Sequence, residues 1–132
     1  MLKLIAVCVG LLLASAVTVN AQTPVQPSPV KRTILQKADV PGTNLEVIYA
    51  TLEIAAGFKA GRHFHPGVVM AQVLEGEFWL QIDGQPETVM RASESLTLPD
   101  RAIHNEGTID KPARLSVIYI VEKGKPLAAP AP

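Results

Sequence analysis

Two stretches constrain the fold of this chain more than anything else in it: LEVIYATLEI, Leu45 to Ile54, and ARLSVIYIV, Ala113 to Val121. Both are rich in β-branched and aromatic residues and alternate with a period of two, which fits an extended strand and not an amphipathic helix. Their hydrophobicity is too continuous for a strand with one wet face, so they are expected to be buried on both faces. Shorter strands are expected at Val68 to Leu74, Glu77 to Ile82, Glu87 to Arg91 and Ser95 to Leu98. Turn signals (PG, EG, DG and LPD) recur about every ten residues, and Asp83-Gly84 reads as the centre of a two-residue hairpin. Many short strands with no helical pattern between them predict an all-β fold, either a sandwich or a small closed barrel.

The ends of the chain read differently. Lys3 precedes the apolar run LIAVCVGLLLASAV, and the small-residue site VNA ends at Ala21. This is the pattern of a signal peptide over 1–21, so the protein is expected to be exported, periplasmic or secreted. The apolar run is shorter than the ~20 residues a membrane helix needs, so no span is expected in the mature protein. Val7 occupies the place where a lipobox has a small residue, and Cys8, the only cysteine, leaves with the signal. A proline-rich linker over 22–30, a folded unit over 31–122 and a disordered proline- and alanine-rich tail over 123–132 complete the expected organisation. Without Lys3, 11 basic residues remain of the 12 in the chain, against 12 acidic ones, a net charge of about −1. That balance attracts neither nucleic acid nor anionic lipid. With no disulfide available, the unit must hold together by burying a core.

The chemistry concentrates in GRHFHPG, Gly61 to Gly67. On a strand, His63 and His65 project from one face with Cα atoms ~6.5 Å apart, and two imidazoles so placed can converge on one cation. His104, the third and last histidine, lies about forty residues on, where an antiparallel neighbour can bring it opposite the pair. Three neutral imidazoles suit zinc, iron, copper or nickel and leave coordination positions open. Histidines that merely hydrogen-bond within a β-domain are the competing reading.

The spacing Gly57, five residues, His63-Phe64-His65, then PGVVMAQVLEGE with Gly76, resembles the first motif of the cupins, and Pro99 followed by His104 resembles the second. The resemblance covers about Thr33 to Val121. It implies a single small jelly-roll β-barrel, one divalent transition metal (iron, zinc, copper, nickel or manganese) on His63, His65 and His104, a small-molecule ligand, and a homodimer formed by sheet packing. The chain departs from that family's pattern at several positions: Val69 stands where a glutamate ligand is usual, Ser93 and Arg101 where glycines are common, and Thr108 where an asparagine is usual. Losing the glutamate lowers the negative charge offered to a hard cation such as manganese.

Gln72, Arg62 and Arg101 are candidate pocket residues: the first as a weak oxygen donor, the arginines as anchors for a carboxylate. Strand parity opposes Gln72, which sits out of phase with Val69. Trp79 and Tyr119 could line a pocket, though an aromatic in a small barrel is usually core. Three functions remain open at this point. They are a metalloenzyme, a small-molecule dioxygenase or isomerase; a non-catalytic module that binds a small molecule or sugar; and a structural domain with a vestigial site.

Overall fold

The computed structural model describes residue 26 and residues 28–132. The expected signal segment over 1–21 and most of the linker lie outside the described residues.

The described chain contains ten strands and no helix, so no helix in it is long and apolar enough to cross a membrane. They are β1 (Val30–Asp39), β2 (Leu45–Ile54), β3 (His63–Phe64), β4 (Gly67–Glu75), β5 (Glu77–Ile82), β6 (Thr88–Arg91), β7 (Ser95–Leu98), β8 (His104–Gly107), β9 (Ala113–Glu122) and β10 (Ala129–Pro130). They form two five-stranded antiparallel sheets, β1-β2-β9-β4-β7 and β10-β3-β8-β5-β6. Consecutive strands repeatedly cross from one sheet to the other, so the sheets face each other as a jelly-roll barrel.

The core lies between the sheets. Ile48, Ala50, Leu52 and Ile54 of β2 and Leu115, Val117, Tyr119 and Val121 of β9 all point inward and are buried. Each large side chain fully buried there contributes ~1.5–3 kcal/mol, enough in sum to hold a barrel without cross-links. Burial on both faces of these two strands is not what the structure shows. Their outer residues are half-buried or exposed, with Tyr49 and Ile118 the most open apolar ones, because no second layer covers this sheet. The continuous hydrophobicity thus reflects an apolar outer surface as well as a core.

Two local expectations also change. Gln85 N–H donates to the Ile82 carbonyl at 2.9 Å across Asp83-Gly84, but the β5–β6 ladder ends at Leu80 opposite Thr88, so the hairpin loop is longer than two residues. Only Gly84 of that dipeptide has a positive φ, 77°, whereas the tight type I′ turn needs both residues left-handed. The tail expected to be disordered carries β10, which pairs Ala129 with Phe64 and Pro130 with His63. Its composition hides this, because two residues on an edge leave no periodic pattern to read.

Glycine is required at Gly67, just after the His-Pro pair. A Cβ there would stand 2.0 Å from the Ile120 carbonyl oxygen. This close approach seats the start of β4 on β9 and fixes where the histidine strand before it ends.

Candidate metal centre

His63 on β3 lies directly opposite His104 on β8, and His65 follows two residues after His63, so all three side chains face inward. The structure therefore brings the three sequence-predicted ligands together. Their ring centroids are 4.2 Å (His63–His104), 5.0 Å (His65–His104) and 5.1 Å (His63–His65) apart. His104 is fully buried and His65 nearly so.

Each ring is held from behind by a backbone carbonyl. Nδ1 of His63 donates to Gly61 O at 2.8 Å, Nδ1 of His104 to Ala102 O at 2.8 Å, and Nδ1 of His65 to Leu127 O at 2.5 Å. A carbonyl can only accept, so Nδ1 carries the proton in each neutral ring and Nε2 carries the lone pair. The backbone carbonyl of His65 also accepts from Arg101 N–H at 3.2 Å, which anchors the strand end from the second histidine loop.

Sequence reasoning missed a fourth member, Glu106, two residues past His104 on the same face of β8. Its carboxylate oxygens stand 3.0 Å from His104 Nε2 and 3.6 Å from His63 Nε2. One donor atom from each of His63, His65, His104 and Glu106 lies within 4.8 Å of the others. The signal was present in His104-Asn105-Glu106, which obeys the same alternation that singled out His63 and His65. Val69, at the position where the resemblance places a glutamate, is buried in the core opposite Tyr119 and Leu98.

The electrostatics of this cluster fit a cation. Nε2 of His104 is buried without a hydrogen-bond partner, since the Glu106 oxygen is close but not aligned with it. Three lone pairs and a carboxylate meeting in one place repel one another unless a proton or a metal stands between them. Burial pushes His65 down to about 4, so it is a neutral ligand at ordinary pH. Burial also opposes the charged form of His104, but the carboxylate of Glu106 and the Ala102 carbonyl outweigh it and raise its pKa. For Glu106, burial acts to raise the carboxyl and the histidines, His104 above all, hold it below its usual range. A donor set of three imidazoles and one carboxylate suits a borderline divalent transition metal.

The cluster opens on a cavity of about 360 Å³, walled by Leu52, Ile54, Phe58 and Tyr119 and reached by His63, His65 and Glu106. Arg62 stands on its rim, tied to Asp83 outside. Gln72 is not in the cavity. It is exposed on the outer face of β4, where its Nε2 donates to Ser93 O at 3.3 Å. Nor is Arg101, which pairs with Glu122 beyond the cavity wall. Thr108 is buried and structural: its hydroxyl donates to Ala55 O at 2.5 Å and accepts from Phe58 N–H at 3.1 Å, fixing the segment that leads into β3.

No protein-family model matches the chain, and no curated protein sequence matches it. Solved structures do. A cupin superfamily protein from Desulfitobacterium hafniense superposes with a TM-score of 0.61 at 17% identity, over 74% of this chain and 83% of that one. The DMSP lyase DddQ from Ruegeria pomeroyi gives 0.60 at 19% identity over 64% of this chain and 43% of the lyase, so this chain spans less than half the lyase's length. The polyketide cyclase RemF from Streptomyces resistomycificus gives 0.60 at 21% identity, over 74% of this chain and 69% of the cyclase. The architecture is that of the cupin barrel.

Proposed function

We propose that this cupin-fold chain holds one divalent transition metal on His63, His65, His104 and Glu106, and acts through it on a small organic acid or carbonyl compound, by oxygenation or isomerisation. The observation that carries this reading is the convergence of three Nε2 lone pairs and a carboxylate, with His104 Nε2 buried and unpartnered. The metal would supply a Lewis acid with open positions for a substrate oxygen. The chain's own residues do the remaining work. Backbone carbonyls behind each Nδ1 hold the rings in one tautomer, and Leu52, Ile54 and Phe58 give the cavity an apolar wall. Two of the structurally similar proteins are named for reactions, a lyase and a cyclase, which supports catalysis as the first reading.

Capture without turnover is the second reading, and one feature favours it. Among the described residues Glu106 is the only carboxylate lining the cavity, and as a metal ligand it leaves no separate general base beside the substrate. The mature protein would work outside the cytoplasm, as the signal pattern over 1–21 suggests. It would do so as a homodimer joined through the apolar outer face of the β1-β2-β9-β4-β7 sheet, where Val47, Tyr49, Met70, Ile118 and Ile120 lie side by side.

The test is to incubate short 2-oxo acids and 1,3-diketones in air with protein loaded with iron, manganese or nickel, and to follow them by NMR before and after chelation. Product formation that chelation abolishes supports the enzyme. Metal-dependent binding without product supports capture, and the absence of both contradicts the site.

A further inference from the structure

The cavity is lined by two arginines that the metal reading does not use, Arg62 and Arg32, and of these Arg62 is tied to Asp83. Arg32 lies on β1 opposite Leu52, on the face of the strand that looks into the barrel, and lines the cavity while remaining exposed to solvent. The chain has five arginines, all within the described residues. Arg62, Arg91, Arg101 and Arg114 pair with Asp83, Glu77, Glu122 and Glu75 respectively, while among the described residues Arg32 pairs with no carboxylate. Its guanidinium carbon sits 5.4 Å from the centre of the Tyr119 ring, and that ring is 5.7 Å from the His65 ring. The guanidinium is therefore no further from the histidine cluster than those two distances laid end to end.

We propose that Arg32 is the anchor for the substrate's carboxylate, and that the ligand of this cavity is a small monocarboxylic acid with an apolar body. A planar guanidinium held beside Tyr119, with no carboxylate partner among the described residues, is suited to bidentate capture of a carboxylate. Val30, Leu52, Ile54 and Phe58 make much of the remaining cavity wall apolar, which suits a ligand whose body is hydrocarbon. Its far end meets His63, His65 and Glu106, where a second oxygen function would be polarised. Charge agrees with this assignment: Glu106, the one carboxylate lining the cavity among the described residues, is engaged with the histidines, which leaves the positive charge of Arg32 for the ligand to balance. This deepens the metal-site reading by naming the class of molecule that the site receives and the end by which it is held.

The test is calorimetric titration of the full chain, both metal-free and zinc-loaded, with 4-methylpentanoate and with its neutral amide, alongside a metal assay of each sample. The acid should bind about tenfold or more tightly than the amide in both forms. Arg32→Gln should erase that preference with metal content unchanged, and Arg32→Lys should keep part of it. Lys31→Gln, on the outer face of the same strand, should leave it intact. Equal affinity for acid and amide, no binding of either, or a preference that survives Arg32→Gln overturns the proposal. Failure to take up zinc would instead count against the metal site, while the metal-free titration still decides the role of Arg32.

Discussion

Each of the three histidines has committed its Nδ1 proton to a backbone carbonyl, and the Nε2 atoms left over meet a single carboxylate. Glu106 therefore supplies the negative charge that Val69 does not. Glu106→Gln preserves size but removes that charge, so metal affinity should fall by about tenfold or more, ~1.4 kcal/mol, by competition against a calibrated chelator. Unchanged affinity would mean that the histidines bind alone. The histidines were legible because strand parity and spacing are written in the sequence. Glu106 obeys the same parity, two residues past His104, but it lies in the second histidine segment and not four residues after His65, where the resemblance to cupins places a glutamate. Arg32 was not legible: whether an arginine is paired depends on contacts across the fold. At two positions where the cupin pattern has glycine, this chain keeps the backbone and changes the side chain. Ser93 (φ 75°) and Arg101 (φ 57°) are the only non-glycine residues with positive φ among those described.

At the scale of elements, the C-terminal segment acts as a strap. Leu127 O accepts the proton of His65 Nδ1 across 62 residues of sequence, Ala131 N–H donates to Arg62 O at 3.0 Å, and β10 pairs with the histidine strand β3. Removing residues 126–132 should therefore loosen His65 and weaken metal binding by about tenfold or more, as loss of a partner behind a ligand typically does. Little melting temperature should be lost, because none of the fully core residues lies there. Unaltered metal affinity in the truncated chain would show that the strap does not orient the ligand. Three strands needed no such contact to be read: Leu45–Ile54, Glu77–Ile82 and Ser95–Leu98 match the expected bounds, the first and last by alternating burial and the second by the apolar run Phe78-Trp79-Leu80. The ten-residue β1, polar and exposed along most of its length, is not among the expected strands. The strap, with proline and alanine and no period, takes its order entirely from what it packs against.

For the whole molecule, the barrel has a core and a cavity between its sheets and an apolar patch on the outer face of one of them. Tyr49, Met70 and Ile118 are each more than a third exposed, on neighbouring strands of one outer face. Charges lie towards the ends of that face, as the pairs Lys31–Glu53 and Arg114–Glu75 at one end and Lys123–Asp39 at the other. Light scattering should give the mass of a dimer, and Ile118→Lys, which puts a charge in the middle of the patch, should give a monomer that still binds metal. A wild-type monomer at high micromolar concentration would contradict this. The central claim, that the histidine cluster is a metal site, is tested most directly by elemental analysis of purified protein reconstituted with iron, zinc, copper and nickel in turn. About one equivalent per chain is predicted for at least one of these metals, with His63→Ala, His65→Ala and His104→Ala each losing tight binding. Less than about a tenth of an equivalent with every metal would contradict the account, since a site with this donor set should fill.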